Sequence, residues 1–434
     1  MRPRILWLSH FIPYPPLSGA VQRSYQLLRR IAPSYEVTVL ALNRKALLAT
    51  PAEQDRAVEQ LSELGLTVEV HRAAAESGRI GWLGMLARSA AGRRPLTVNW
   101  LASESFARAR RAALESGRFD LVHVDTIALA DELLPSPLPV ILNHHNIESQ
   151  MLIRRAGRTG SPVRRLLLRR EGRKVARLER RVCPAVTTNL VVSALDGDRL
   201  NQVAPGARWT VVENGVDADW LTPGAAGNPH ELVFSGTMSW YPNEDAMRFF
   251  LERIWPGLIQ RDRRFRLTIV GRGPGPALRE LVRNCEGVTL TGEVEDVRPY
   301  LQRAGIYVCP VRDGGGTRLK VLEAMAAGLP LVATGLAMEG LTVEPGRHFL
   351  PAEDPHDFVE CLLKLRDQPA TRLALGQAGR SLVSKRYSWE VCGLHLDSAY
   401  RDAIAQSARQ PAGHHHESHG NEGQQDHQVG KPVT

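Results

Sequence analysis

A short segment near residue 320 combines the residue types that bind anions. Gly314 to Gly316 are three successive glycines, Arg318 and Lys320 follow them, and Glu323 comes about one helical turn later. Glycines let the backbone turn its N–H groups toward a ligand, because they adopt conformations closed to other residues. Arginine and lysine add charged donors that suit phosphate oxygens. The pattern therefore predicts a phosphate site.

The residues around this segment predict a strand, a glycine turn, a helix and a second strand. Ile306 to Cys309 and Leu331 to Ala333 are short apolar runs typical of buried parallel strands. Between them we expect a helix that Thr317 caps and that Gly328 and Pro330 end. A helix start carries roughly half a positive charge, so cations in its first turn are unfavourable unless an anion neutralises them. We therefore expect a diphosphate at this helix start.

Glu323 lies inside an apolar helical segment, Val321 to Ala327. Burying a carboxylate is costly unless it is hydrogen-bonded, and ribose hydroxyls are suitable donors. The alternative is a solvent-exposed pair between Lys320 and Glu323, three residues apart on one helix face. Both interpretations stay open at this point.

The segment from Pro310 to Pro330 resembles the nucleotide-sugar site of retaining glycosyltransferases of family four, which have the GT-B fold. That family carries two glutamates, within the patterns Glu-Gly-Phe-Gly and Leu-Glu-Ala-Met-Ala-x-Gly-x-Pro. Glu323 matches the second glutamate, whereas Gly315 stands where the first would contact the donor sugar. The combination of three glycines with Arg318 and Lys320 resembles instead the pattern of a family subgroup that is associated with exopolysaccharide assembly.

The resemblance implies which residues hold the donor. In this segment they are Asp313, Gly314, Gly315, Gly316, Thr317, Arg318, Lys320 and Glu323. Elsewhere they are Ser18 and Gly19 in the first loop, Gly236 in Ser235-Gly-Thr-Met-Ser-Trp-Tyr-Pro-Asn243, and Gly271 and Gly273 in Ile269-Val-Gly-Arg-Gly-Pro274. The family's basic residues shortly after the Gly236-like position are missing here. Arg318 and Lys320 are therefore expected to stabilise the departing diphosphate, which makes them catalytic candidates.

A polar cluster, Asn143-His-His-Asn-Ile-Glu148, comes directly after an apolar run. Its side chains offer donors and acceptors that suit a polyhydroxylated ligand, although such a cluster alone is more often a turn than a site. The resemblance implies a histidine here that faces the donor sugar. His145 matches it best and is the third catalytic candidate. The predicted acceptor-side residues are His144, which is also the reserve for that role, Asn146 and Glu148.

Short apolar runs alternate with helical patterns along most of the 434 residues. Such alternation predicts an α/β fold with doubly wound parallel sheets. The resemblance implies GT-B architecture, in which two Rossmann-like domains face a cleft. We place the acceptor-side domain at 1–213 and the nucleotide-sugar-binding domain at 214–388. A helix at 389–406 is expected to cross back to the first domain, and 407–434 to form a disordered tail rich in His, Gln and Gly.

Positive charge is concentrated in one stretch of the chain. The net charge is +9, whereas Arg154 to Arg181 alone contains eleven Arg and one Lys against two Glu. Leu166, Leu167, Val175 and Leu178 interrupt these arginines, so a helix here could lie on an anionic membrane. The alternatives are a solvated helix face and a phosphate-binding surface for nucleic acid. No nucleic-acid-binding module accompanies the stretch, so we expect no nucleic-acid partner.

Several other classes are disfavoured by the sequence. Five cysteines without a Cys-x-x-Cys pair indicate neither a disulfide framework nor a zinc ribbon, which favours a reducing compartment. The apolar run Ile5 to Leu8 is too short for a signal peptide, and no run approaches the roughly 18 apolar residues of a membrane span. We expect a cytoplasmic protein, peripheral at the inner face of the cell membrane.

No cofactor or metal is expected. The Asp-x-Asp triplets at Asp196 and Asp217 lie at a helix start and in a turn, which argues against a metal site. Gly271-Arg-Gly273 follows a strand but lacks the third glycine of a dinucleotide fingerprint.

The residues and the resemblance together predict a retaining, hexosyltransferase-type glycosyltransferase. It would move a sugar from a nucleoside-diphosphate sugar to a glycan or polyprenyl-linked acceptor, in exopolysaccharide or cell-surface glycan assembly. One alternative is an epimerase or phosphorylase of the same fold. Another is a non-catalytic nucleotide-sugar-binding protein, which the departure at Gly315 keeps open.

Overall fold

The computed structural model describes residues 2–43, 48–73, 82, 84–85, 87–89, 92–224 and 227–409. The predicted tail therefore lies outside the described residues from 410 onward.

The first domain is built on a seven-stranded parallel sheet of order β3-β2-β1-β4-β5-β6-β7. Its strands are β1 (Arg4–Ser9), β2 (Glu36–Asn43), β3 (Thr67–Arg72), β4 (Leu121–Val124), β5 (Val140–Asn143), β6 (Thr188–Val191) and β7 (Trp209–Val211). Described helices between them are α1 (Gly19–Ile31), α2 (Pro51–Ser62), α3 (Leu96–Trp100), α4 (Glu104–Glu115), α5 (Ile127–Ala130), α6 (Glu148–Arg158), α7 (Pro162–Val182) and α8 (Ala194–Val203).

The second domain has a six-stranded parallel sheet of order β10-β9-β8-β11-β12-β13. Its strands are β8 (Asn228–Ser235), β9 (Arg266–Val270), β10 (Val288–Gly292), β11 (Ala304–Cys309), β12 (Leu331–Ala333) and β13 (Leu350–Pro351). Its α-helices are α9 (Tyr241–Phe249), α10 (Trp255–Arg261), α11 (Pro276–Arg283), α12 (Arg298–Arg303), α13 (Leu319–Ala326), α14 (Pro355–Asp367) and α15 (Pro369–Arg386), and a π-helical turn (Phe250–Ile254) joins α9 to α10. The final helix is α16 (Trp389–Arg409).

Both faces of the first sheet are buried, which explains the continuous apolar runs. Ile5 and Trp7 of β1 belong to one core cluster, and Leu6 and Leu8 belong to another on the opposite face. Successive side chains of a strand point to opposite faces, so a central strand covered on both sides must be apolar throughout. The two parallel sheets confirm the predicted α/β class. Strand β13 was missed because two residues carry no periodic signal.

Helix α16 packs against the first domain. Tyr400 Oη lies 2.9 Å from His123 Nδ1, and Tyr35 donates to Asp397 at 2.6 Å. A residue larger than glycine at position 393 would place its Cβ 2.7 Å from the Arg30 side chain. The helix extends to Arg409, three residues beyond the predicted end at 406, because no proline or glycine stops it before that point.

The chain crosses between the domains twice, and the two crossings lie side by side. Val216 forms a bridge with Ser388, and its backbone N–H donates to the Tyr387 carbonyl at 2.7 Å. Gly215 lies against Trp389, where an added Cβ would be 2.7 Å from the indole ring. The two crossings therefore form a compact junction between the domains.

Candidate active site

The glycine loop and helix α13 lie where the sequence predicts them, with one difference at the helix start. The residue at the N-cap is Arg318, whose side chain makes no capping hydrogen bond, and the helix begins at Leu319. Thr317, the predicted cap, instead accepts hydrogen bonds from Asn214 Nδ2, at 2.9 Å to its hydroxyl and 3.2 Å to its carbonyl. A contact from the domain junction thus replaces the local capping interaction.

The three glycines are not equivalent. Gly314 and Gly316 have φ angles of 111° and 67°, which other residues rarely adopt. Gly315 does not need a positive φ, but an added Cβ there would lie 3.0 Å from Asn146 Oδ1. At Gly316 an added Cβ would lie 2.6 Å from the His145 carbonyl oxygen. The loop is therefore glycine-rich because the first domain packs directly against it.

Arg318 is held by this loop with part of its guanidinium unsatisfied. Its Nη1 donates to the Gly316 carbonyl at 2.9 Å. Its Nη2 is buried and has no hydrogen-bond partner in the described part of the chain. Burial lowers the pKa of Arg318, although Cys309 and Glu339 act in the opposite direction. A buried donor without a partner is costly, so this nitrogen indicates a place for an anion.

Lys320 extends toward the second sheet. Its Nζ donates to Asn243 Oδ1 at 2.5 Å and lies 4.2 Å from the centre of the Phe234 ring. Gly236 lies beside it, since an added Cβ there would be 2.6 Å from Nζ. Burial lowers the pKa of Lys320 to about 8, and an anion bound there would stabilise the charged form.

Glu323 faces the first domain rather than Lys320. Gln22 Nε2 of α1 donates to Glu323 Oε1 at 3.5 Å, and no ion pair joins Lys320 and Glu323, both of which the structure describes. Burial raises the pKa of Glu323. The exposed-pair interpretation is therefore wrong. Glu323 lies between the domains, where ribose hydroxyls could donate to it.

Helix α1 of the first domain and helix α13 of the second start close to each other. Ser18 is the N-cap of α1 and makes no side-chain capping hydrogen bond. An added Cβ on Gly19 would lie 3.4 Å from Leu319 Cδ1, at the start of α13. Two helix N-termini thus face each other across the cleft, and both favour negative charge.

The other two predicted glycines have packing roles. At Gly271 an added Cβ would lie 1.8 Å from the Gly236 carbonyl oxygen, and at Gly273 it would lie 3.0 Å from Ser239 Cβ. Both have positive φ angles, 151° and 68°. These glycines let the turn after β9 approach the turn after β8, which places Gly236 beside Lys320.

On the first-domain side, His145 is paired with a carboxylate that the sequence analysis did not single out. His145 Nε2 lies 3.2 Å from Asp125 Oδ1, and Asp125 is fully buried at the end of β4. Burial would raise the pKa of Asp125, but the neighbouring His145, His10 and His123 outweigh it and lower the pKa overall. The available signal was that Asp125 follows an apolar strand at the same sheet edge as His145.

His144 does not reach the cleft, contrary to its predicted acceptor-side position. It is 4% exposed, and its Nε2 lies 2.9 Å from Asn189 Oδ1. Burial lowers its pKa to about 4. Consecutive residues at a strand end point in opposite directions, so His144 turns into the domain core while His145 turns toward Asp125.

Asn146 and Glu148 lie on the first-domain side of the interface. The side-chain oxygen of Asn146 is buried against the glycine loop without a hydrogen-bond partner in the described part of the chain. Glu148, in the first turn of α6, accepts from Thr126 Oγ1 at 3.4 Å, and burial raises its pKa.

Arginines at the start of the basic stretch contact the second domain. Arg154 Nη1 donates to the Gly314 carbonyl at 2.8 Å, and Arg158 donates to the Arg312 carbonyl. Arg154 also lies 3.3 Å from Glu339, which pairs with Arg199 at 2.5 Å. These arginines hold the glycine loop and its flanking residues from the first domain.

Two carboxylates near the glycine loop, Glu339 and Asp313, differ in how fully they are engaged. Glu339 pairs with two arginines, which lower its pKa although burial opposes them. Asp313 is 2% exposed, and its Oδ1 accepts from the Gly314 N–H at 2.7 Å. The other oxygen of Asp313, Oδ2, is buried without a hydrogen-bond partner in the described part of the chain, so Asp313 retains a free acceptor beside Gly315 whereas Glu339 is held by arginines.

The rest of the basic stretch forms an antiparallel hairpin of α6 and α7. Val175 and Leu178 are buried, whereas Leu166 and Leu167 are 65% and 60% exposed. The outer end of the hairpin thus presents apolar residues among exposed arginines. In the described residues no helix is long and apolar enough to cross a membrane. The same residues contain no group of three or more His, Cys, Asp or Glu side chains that could hold a metal ion.

Known proteins share both the sequence families and the fold. The model of Glycosyltransferase Family 4 matches residues 17–220, and that of Glycosyl transferases group 1 matches residues 229–368. A phosphatidyl-myo-inositol mannosyltransferase of Mycobacterium leprae is 27% identical over 221 residues, which cover 49% of this chain and 58% of the relative. A GDP-mannose-dependent monoacylated alpha-(1-6)-phosphatidylinositol monomannoside mannosyltransferase of Corynebacterium glutamicum is 34% identical over 142 residues, covering 30% of this chain and 37% of the relative.

These alignments span about half or less of the relatives' length. Among solved structures, sucrose-phosphate synthase from Thermosynechococcus elongatus aligns with a TM-score of 0.70 and 17% identity, over 93% of this chain and 100% of that one. Anabaena Alr3699/HepE in complex with UDP aligns with a TM-score of 0.62 and 15% identity, with the same coverage. The chain therefore belongs to the glycosyltransferases of family four and has the GT-B fold.

Proposed function

We propose that this protein is a retaining glycosyltransferase that transfers a hexose from a nucleoside-diphosphate sugar to a glycan or polyprenyl-linked acceptor. The observation that carries the proposal is the pair Arg318 and Lys320 beside the glycine loop. Both cations are desolvated and neither pairs with a carboxylate, while Arg318 Nη2 has no partner in the described part of the chain. Two partly buried positive charges without a carboxylate partner are unfavourable, and a diphosphate would neutralise both.

The donor would be held from both domains. The diphosphate would lie between Arg318 and Lys320 at the start of α13, where the helix dipole also favours it. The ribose would bind Glu323, whose carboxylate already reaches Gln22 on the other side of the cleft. Backbone N–H groups of the glycine loop would approach the sugar in place of the missing glutamate at Gly315.

Retention of configuration follows if the acceptor attacks the face from which the diphosphate leaves. The leaving oxygen then takes the acceptor proton, and the protein's main task is to stabilise the charge that develops on the diphosphate. Arg318 and Lys320 would take that role. His145, oriented by Asp125, would contact the sugar from the first domain.

The Corynebacterium glutamicum relative is by name GDP-mannose-dependent. A further relative, from Xanthomonas oryzae and 27% identical over 231 residues, is by name a GDP-mannose:cellobiosyl-diphosphopolyprenol alpha-mannosyltransferase. These names support GDP-mannose as the first donor to test and a lipid-linked acceptor. They also support a role in exopolysaccharide or cell-surface glycan assembly. The exposed Leu166 and Leu167 among arginines would dock the hairpin on the anionic inner face of the cell membrane.

A panel of nucleotide sugars tests the proposal. The purified chain, incubated with GDP-mannose, UDP-glucose and related donors, should release nucleoside diphosphate slowly from one of them without an acceptor. Tight nucleoside diphosphate binding with no turnover of any donor, with or without polyprenyl-linked sugars, would favour the non-catalytic binding protein. Conversion of the donor to an epimer would favour the epimerase.

A further inference from the structure

A single buried arginine connects the two halves of the candidate site. Arg23 of α1 is 1% exposed. It donates to the carbonyl oxygens of Val212 and Glu213, both at 2.8 Å. It also donates to the side-chain oxygens of Asn143 at 3.1 Å and Asn214 at 3.0 Å. One residue thus joins a helix, a strand end and the domain junction.

Burying the charged guanidinium of Arg23 costs folding free energy. Burial lowers the pKa of Arg23 to about 10, with Cys392, Asp125 and Glu213 acting in the opposite direction, so it stays charged at neutral pH. All four of its acceptors are uncharged groups. A buried charge is often replaceable by apolar residues without loss of stability. The arginine is therefore better explained by what it orients.

Arg23 fixes the orientation of two amide side chains. A guanidinium has donors only, so Asn143 and Asn214 must both present their oxygens to it. Their NH₂ groups then point away from Arg23 in opposite directions. Asn143 donates to Asp125 Oδ1 at 2.8 Å, and Asn214 donates to the hydroxyl and carbonyl of Thr317.

Each of these NH₂ groups donates to a residue on one side of the cleft. The Asp125 oxygen that accepts from Asn143 is the same one that lies 3.2 Å from His145 Nε2. Thr317 closes the glycine loop and immediately precedes Arg318. A continuous hydrogen-bonded path therefore runs from Asp125 in the first domain to the anion-binding loop in the second, and the charge contact of Asp125 extends it to His145.

We infer that Arg23 is a positioning residue for sugar transfer. By orienting Asn143 and Asn214 it sets where His145 lies relative to the glycine loop and to a sugar held between them. The inference rests on the proposed function for the reaction, whereas the path itself is a property of the structure.

The substitution Asn214→Asp tests the path without removing Arg23 or its partner. A carboxylate at position 214 still accepts from Arg23, so the chain should fold with a thermal midpoint near that of the parent. It no longer has an NH₂ group to donate to the Thr317 carbonyl. We expect kcat for donor turnover to fall at least about tenfold, with the donor KM within about threefold. Amide exchange of Gly314 to Thr317 should become faster while β1 and β4 stay protected.

Arg23→Lys gives an independent check, because an ammonium cannot serve both amides with the geometry of a guanidinium fork. It should show the same division between kcat and KM. Tyr35→Phe is the matched control, since it removes a 2.6 Å hydrogen bond to Asp397 that also ties α16 to the first domain but lies off the path. We expect its turnover and loop exchange to match the parent.

Parent-like turnover and loop exchange in Asn214→Asp would overturn the inference, as would equal losses in Tyr35→Phe. If the parent chain turns over no donor, the proposed function fails. The exchange measurement then still decides whether the path holds the glycine loop.

Discussion

Removing the positive charge of Lys320 should abolish most of the affinity for a nucleoside diphosphate. Lys320→Met keeps the aliphatic part of the side chain against the Phe234 ring but removes the ammonium group that Asn243 accepts from. A hydrogen bond to a charged group contributes about 1.5–3 kcal/mol. Leaving a desolvated phosphate charge without its partner costs about 2–5 kcal/mol. Arg318 remains, so we expect a loss of about 2–4 kcal/mol, roughly 30- to 700-fold in Kd.

Isothermal titration of GDP and UDP into both proteins measures this loss directly. The thermal midpoint without ligand should stay the same or rise, because the substitution removes a buried cation whose pKa is already lowered by burial. Lys364→Met, on the exposed face of α14, is the matched control and should bind like the parent. An unchanged Kd in Lys320→Met would show that the diphosphate lies elsewhere, and the assignment of the site would be refuted.

Four further outcomes are expected. Nucleoside diphosphate affinity should fall as pH rises through about 8, because Lys320 of the ligand-free protein loses its proton there. Lys320→Arg should remove this pH dependence. An affinity of the parent chain that stays constant from pH 7 to 10 would contradict the prediction. EDTA should leave donor turnover unchanged, because protein cations meet the diphosphate charge, and a loss restored by manganese would refute this. The double substitution Leu166→Ser with Leu167→Ser should weaken binding to phosphatidylglycerol vesicles at least about tenfold without changing GDP affinity. The control Leu373→Ser, also at an exposed leucine, should change neither vesicle binding nor GDP affinity. Equal vesicle binding by the parent, the double variant and Leu373→Ser would exclude the hairpin as the docking site. Gly315→Glu should lower donor turnover rather than improve it, because its side chain meets an amide oxygen 3.0 Å from the Cβ position, and a gain in turnover would show that the loop accommodates the family's glutamate.

The sheets were predictable because their signal is local. Strands such as Ile5 to Ser9 and Leu331 to Ala333 are buried on both faces and must be apolar whatever their neighbours are. Turn and helix residues around Gly314 to Gly316 likewise act within a few positions of one another. The strand–turn–helix unit that carries the candidate site was therefore accessible from the sequence.

Contacts between the domains were not predictable in the same way. Arg154 and Arg158 look like any other arginines of a basic helix, but their partners are carbonyl oxygens about 155 to 160 residues away. Threonine is a preferred N-cap residue, yet the Thr317 hydroxyl accepts a hydrogen bond from Asn214 at the domain junction instead of capping α13. Sequence patterns describe what an element prefers locally, whereas these residues are determined by what the other domain presents.

The choice between the two histidines shows the same limit at shorter range. Composition makes His144 and His145 equivalent, and only the direction of the last residues of β5 separates them. That direction depends on how β5 pairs with β4 and β6, which places His144 against Asn189 and His145 against Asp125. A one-residue shift in register would exchange their roles.

The most direct test of the account is the anomeric configuration of the sugar that the enzyme transfers. Proton NMR should follow the parent chain with its active donor and an acceptor from the first minutes of reaction. The new glycosidic bond should keep the configuration of the donor, and Lys320→Met should form it at a rate at least about 30-fold lower at the same subsaturating donor concentration. A product of inverted configuration, or an equal rate with Lys320→Met, would contradict the central claim that Arg318 and Lys320 hold the leaving diphosphate of a retaining transferase.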